Sequence, residues 1–469
     1  MIHPKSNLKT LFLDKRSQLK FILFTIIIGS SFYYNETFAL DEIDNKSSSL
    51  NNSSLQITSE NNKTLESEPI FSNVTNITNN PTDSVYAQIV ANDNNVYMIW
   101  QESVTQNPNE KNYDIFFIKS EDNGNTFSKP INLSNNPGFS EHPQIAVSKN
   151  GVFIVWADNT NSNNTEIMFT KSEDNGTTFS KVINLSNNLQ NSNNQEISAF
   201  DENVYVVWQD IDSTNFYGNE INEAAEKKPL TKIMFKASLD TGKTFKDSIE
   251  LANNTYDAYP KVNSYKEHVY VTWNSENSNS SSENDDDDNE NSGLFFIKSS
   301  NKGNNFENSI RIAHYNFGES QISVNENKVF IVWGGLHVKN IKDIYFVQSD
   351  DNGTTFTDPY IISEKSTGAA AENRNDTDKI NSPSNVEIST NNPTYIVWQE
   401  KMSQENQDIF IATNIKNDMQ YSKIINLSNN SGISECPSIA ISNNYIYIVW
   451  EDITPGNHEI LFTRGTFQK

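Results

Sequence analysis

The chain has 469 residues, a formal net charge of −25 and 11% aromatic residues. Such acidity argues against nucleic acid and anionic lipid, which select basic surfaces, and suits cations, neutral sugars or basic proteins. The lone Cys436 excludes an internal disulfide and a cysteine metal cluster, and no H-E-x-x-H, P-loop or dinucleotide fingerprint is present.

In chain order, Lys15, Arg16 and Lys20 precede an apolar stretch at residues 21–32, and Thr37-Phe38-Ala39 offers a small-residue cleavage site. Residues 1–39 therefore read as a signal peptide, or as an N-terminal anchor if left uncleaved, although the run is short against the roughly 20 residues that span a bilayer. Export, to the medium or the cell surface, is the expectation. Residues 40–68 are rich in Ser and Asn and read as a disordered stalk.

From residue 69 onward one unit repeats seven times. Trp100, Trp156, Trp208, Trp273, Trp333, Trp398 and Trp450 each end an apolar run, with gaps of 56, 52, 65, 60, 65 and 52 residues. Such a period signals stacked or radial repeats. The second copy shows four strands. Strand A is Pro143-Gln144-Ile145-Ala146-Val147, strand B is Val152-Phe153-Ile154-Val155-Trp156, strand C begins at Glu166, and strand D follows at residues 181–186. Strand A's Ile or Val precedes the Trp by 11 residues in six copies; copy six is read as 12, from Val386 to Trp398. Strand B is apolar at consecutive positions, so both of its faces need cover. Sheets arranged radially meet that demand, which predicts an all-β, seven-bladed β-propeller of four-stranded antiparallel blades over residues 69–469. Copy seven stops after strand C. Residues 72–80 resemble residues 129–136 of a strand D, so the N-terminal strand is expected to close the last blade.

Between strands C and D lies Ser120-Glu121-Asp122-Asn123-Gly124-Asn125-Thr126-Phe127, recurring at 172–179, 238–245 and 349–356 and, with Asn for Asp, at 299–306. Asp accepts turn amides, Gly takes positive φ, and the Phe is expected to pack the turn back onto its blade. The pattern S-x-D-x-G-x-x-F is the Asp box, or BNR repeat. On these motifs the chain resembles the sialidase-like Asp-box propeller superfamily over residues 70–469, and is similar to archaeal secreted proteins classed with exo-α-sialidases on likeness alone. The resemblance implies structural, non-catalytic roles for Asp122, Asp174, Asp240 and Asp351.

For a sialidase, the resemblance also implies three arginines on the substrate carboxylate, a Tyr nucleophile assisted by Glu, and an Asp acid/base. The four arginines here are Arg16, Arg311, Arg374 and Arg464, none of them in a strand A or an F/Y-R-I-P context. That class is also typically six-bladed. No catalytic residue transfers.

Loop lengths vary on one face, the top, formed by B–C and D–A connections at 210–232, 274–293 and 364–382. Acids gather there: Glu102, Asp158, Asp210, Glu400 and Asp452 two residues after a Trp, and Glu141, Asp257, Glu319 and Glu435 near the starts of strands A, with His142 beside Glu141. They are expected to ring the channel mouth and hold a polyhydroxyl ligand or a cation, calcium being the metal in view. The Asp run 285–288 lacks calcium-loop spacing and reads as a solvated tip. Sequons such as those at Asn132, Asn184 and Asn426 make glycosylation of blade edges possible. The sequence thus points to an exported, monomeric, non-catalytic binding protein for an extracellular glycan or protein. The alternative is a glycoside hydrolase using top-face carboxylates.

Overall fold

Strand B runs such as Val152-Phe153-Ile154-Val155-Trp156 need cover on both sides, and the fold provides it. In the computed structural model each run is the second strand of a four-stranded antiparallel sheet, and there are seven such blades. The structure describes residues 69–105, 112–160, 164–216, 229–255, 258–275, 292–314, 318–336, 342–363, 383–391, 393–414 and 424–466. Residues 1–68, read above as leader and stalk, lie outside that set, and the propeller falls within the unit from Leu65 to Lys469.

The first blade runs Ser84–Asn92, Asn95–Ser103, Tyr113–Ser120 and Ile131–Asn132, here strands A to D. Strands A of all seven blades line a central cavity of about 290 Å³. The core lies between blades rather than within any one of them. Each of seven apolar clusters joins residues of two neighbours; Ile99 and Phe117 of blade one, for instance, pack with Ile145 and Trp156 of blade two. Another joins blade seven to blade one through Trp100, Val449 and Phe462. Every tryptophan is at most 3% exposed. Burial of a ring that size is worth roughly 5 kcal/mol of transfer free energy.

The last blade comprises Ser434–Ser442, Tyr445–Asp452 and Glu459–Thr466, and its outer strand comes from the N-terminal side of the propeller. Ile70–Phe71 and Thr75–Asn76 pair antiparallel with Glu459–Thr466, in registers Ile70↔Thr466 and Thr75↔Phe462. Copy six departs from the sequence reading. Ile388, not Val386, occupies the common strand A position opposite Ile396. Its spacing to Trp398 is therefore shorter than in the other copies, because strand A ends earlier while the turn holds three residues between Thr390 and Thr394.

The turns at 120–127, 172–179, 238–245 and 349–356 are braced by their own Ser and Asp side chains. Asp122 Oδ1 accepts the N–H groups of Asn125 (3.0 Å) and Thr126 (2.9 Å), and Ser120 Oγ accepts that of Gly124 (2.9 Å). Those bonds hold the Asp122 carboxyl down at about 2, and Asp174, Asp240 and Asp351 are lowered in the same setting. The box Phe packs at the seam and also reaches the preceding blade. Phe179 meets Phe117 edge-on at 4.9 Å, Phe245 meets Phe169 at 5.0 Å, and Phe127 meets Phe462 across the closing seam at 5.3 Å. The box is a fastener between blades.

Candidate functional site

Strand A carries a β-bulge where it leaves the top face. The register slips at Val85/Gln88, Glu141/Gln144, Asn193/Glu196, Ser384/Glu387 and Glu435/Ser438. Each slip holds a residue at positive φ: Tyr86 (54°), His142 (51°), Asn194 (50°), Asn385 (46°) and Cys436 (50°), with Tyr259 (40°) at the matching place in blade four. Bulges re-aim side chains. These six, with Glu319 of blade five, line a cavity of about 440 Å³ at the mouth of the channel.

The bulge is held from the neighbouring blade. Gln101 Oε1, next to Trp100, accepts the His142 N–H at 2.8 Å; Gln399 Oε1 does so for Cys436 at 2.7 Å and Gln209 Oε1 for Ala258 at 3.2 Å. Tyr86 and His142 rings stand 4.5 Å apart. Burial, joined by Cys436 and Glu451, pushes the Tyr86 phenol up to about 12. Burial lowers His142 against the pull of Glu141 and Glu319. Cys436 borders the mouth, and burial pushes its thiol up.

Two residues further along, strand A places a charged cluster in the cavity wall. Lys261 Nζ lies 3.3 Å from both Glu196 Oε2 and Glu319 Oε2, and Gln321 Nε2 donates to Glu387 Oε1 at 2.6 Å. Burial opposes the Lys261 charge, yet Glu319, Glu196 and Glu387 outweigh it and raise its pKa. Burial raises Glu196 as well, and lifts Glu387 to about 8 despite Lys261. Glu387 therefore keeps its proton near neutrality.

Of the residues expected at the mouth, His142 and Glu319 line the cavity. The acids two residues after each Trp do not: Asp158, Asp210, Glu400 and Asp452 are at most 4% exposed. Each accepts the indole N–H of its own Trp, as does Glu102 (2.9 Å from Trp100 Nε1). Asp158 Oδ2 also accepts Ser140 Oγ at 2.8 Å and, from the preceding D–A loop, Asn136 Nδ2 at 2.7 Å. Asp210 and Asp452 repeat that arrangement with Ser192 and Asn188, and with Ser434 and Asn430. A buried indole N–H needs an acceptor, which corrects the expectation of an exposed acidic ring for these five. Glu141 is half-buried, its Oε2 3.8 Å from His142 Nδ1. Glu435 lies across the strand pair from Glu451. Asp257, residues 285–288 and most of the long top loops lie outside the described residues.

The sequon asparagines also have structural partners. Asn132 Nδ2 donates to Asp114 at 2.7 Å and Asn426 Nδ2 to Asp408 at 2.8 Å, tying strand D to strand C. Among the described residues the arginines are Arg311 and Arg464, and neither borders either of these two cavities. Arg464 donates to the Asn123 carbonyl and covers the Tyr445 ring, at the Asp-box side.

Sequence reasoning missed Tyr86, Asn194, Tyr259, Lys261, Asn385 and Glu387. A signal was present: each mouth residue stands three positions before the strand A Ile or Val, and a polar residue stands one position before it in every copy.

No family model matches the chain, and no curated protein does. Among solved structures it is similar to the Trypanosoma rangeli sialidase, with 12% identity and a TM-score of 0.45, covering 82% of this chain and 55% of that one. A protein of unknown function from Dyadobacter fermentans gives 12% identity and a TM-score of 0.47, over 71% of this chain and 96% of that one. The NanB sialidase from Streptococcus pneumoniae gives 11% and 0.43, over 84% and 70%. The chain thus spans about half the length of the trypanosomal enzyme, and no functional residue is carried over from any of the three.

Proposed function

We propose that this chain is an exported, non-catalytic binding module that takes a neutral or amine-bearing carbohydrate into the channel mouth. The observation that carries this reading is the composition of the 440 Å³ cavity: Tyr86, Tyr259 and His142 rings beside Asn194, Asn385 and Gln321 amides, over the Lys261 cluster with its three carboxylates. Rings suit the apolar faces of a sugar, and amides and carboxylates suit its hydroxyls. A carboxylated sugar is disfavoured, since the described residues offer no arginine at the cavity and the nearby ammonium is already surrounded by acids. Export belongs to this proposal and rests on residues 1–39.

A glycan-binding screen followed by calorimetry tests the reading. Saturable binding of a neutral or amino sugar, weakened at least tenfold by Tyr259→Ala and by Glu319→Gln, supports it. Silence across the screen, or binding indifferent to both variants, overturns it. The protonated Glu387 near Glu196 and Glu319 favours one second reading, a glycoside hydrolase with Glu387 as general acid. Turnover of chromogenic glycosides that is abolished by Glu387→Gln would put that reading first.

A further inference from the structure

The amide after Trp latches one blade to the next through Gln101, Gln209 and Gln399. At the seam that closes the ring the same place holds Glu451, whose Oε1 accepts the Tyr86 N–H. A glutamine would make that bond without charge. The glutamate side chain is instead 4% exposed and sits directly across the strand pair from Glu435. Among the described residues no Lys or Arg pairs with either carboxylate. The Tyr86 N–H and the Cys436 thiol are the donors to Glu451, and neither brings a charge to offset two carboxylates set opposite one another on paired strands. A third group faces them. His458 Nδ1, just before the last strand, lies 3.8 Å from Glu451 Oε2, buried and without a hydrogen-bond partner. One ligand atom from each of Glu435, Glu451 and His458 falls within 4.8 Å of the others.

We propose that Glu435, Glu451 and His458 form a binding site for a first-row divalent transition metal at the seam between the last and first blades. One imidazole and two carboxylates suit zinc or manganese. Calcium asks for six to eight oxygens. The ion would neutralise the opposed carboxylates, give the orphaned imidazole nitrogen a partner, and fix the strand that presents Tyr86 to the mouth. The site is separate from the cavity-wall cluster and does not depend on the carbohydrate reading.

The test uses the full-length protein stripped with EDTA, titrated with zinc chloride in a calorimeter, with retained metal counted after gel filtration. One zinc per chain and a raised melting temperature are expected, with calcium giving no comparable rise. Glu451→Gln and His458→Ala should each weaken zinc at least about 100-fold, since even residues that only orient ligands cost 10- to 100-fold. Glu451→Gln should keep or raise the metal-free melting temperature, because its amide can still accept the Tyr86 N–H and the charge opposite Glu435 is gone. No retained zinc, or zinc bound equally well by both variants, overturns the proposal.

Discussion

A Cβ added to Gly176 would stand 2.6 Å from Cζ of Phe117 in the preceding blade. Gly176 also sits at a φ of 73°, where an L side chain is strained. Gly242 meets Phe169 and Gly303 meets Phe235 in the same way, so the box glycine serves the seam as much as the turn. Gly176→Ala should cost about 2–3 kcal/mol, from left-handed strain plus overpacking. A double-mutant cycle with Phe117→Leu separates the two terms, and a coupling below about 0.5 kcal/mol would leave only the strain.

The closing strand makes a second prediction. Residues 69–76 pair with the last strand, and Phe71 and Ile77 pack against the two clusters that flank blade seven. Without them Glu459–Thr466 becomes an unpaired edge. Removing residues 69–80 should lower the melting temperature by several degrees and promote self-association. An unchanged melting curve and a monomeric sedimentation profile would show that the strand does not hold the ring.

Asp158 distinguishes a structural acid from a ligand-binding one. It gathers the Trp156 indole, Ser140 hydroxyl and Asn136 amide, three donors from two blades. Asp158→Ala takes that acceptor from all three, leaving Asn136 Nδ2 only Ser140 Oγ, and should cost about 3 kcal/mol or more. Asp158→Asn, which keeps one acceptor oxygen, should cost less. Ligand affinity measured on the folded fraction should not change, since Asp158 borders neither cavity. A variant that folds with native stability and loses its ligand would return Asp158 to the binding surface.

The propeller was legible in the sequence because its causes are repeated: a Trp at the end of every strand B, a box after most strands C, a strand D stranded at the other terminus. The mouth was less so. Acids two residues after Trp look like surface charge until the indole N–H is seen to need them. A residue such as Tyr86 looks like ordinary strand until the bulge turns it toward the channel, and bulges leave no mark in a hydrophobic pattern. In copy six the longer turn makes Val386 look like the strand A position that Ile388 occupies, which hides Glu387 at the polar position shared with Lys261 and Glu196.

The cavity-wall cluster makes stability depend on pH. Glu387 titrates near 8 in the folded protein against an ordinary 4.5, because burial outweighs the help of Lys261. Between those values the native state holds a proton that the unfolded chain releases. Stability contributed at this position is fully present below 4.5, falls as pH rises toward 8 and levels off above it. Glu387→Gln removes the titration while leaving Gln321 Nε2 an acceptor, and Lys261 still has Glu196 and Glu319. The variant should therefore match wild type in acid and exceed it at pH 9 by an amount of order a few kcal/mol. Chemical denaturation at pH 5, 7 and 9 reads this directly. Parallel curves for the two proteins would mean that Glu387 is ionised at neutrality, and the case for a general acid in the cavity would fall with it.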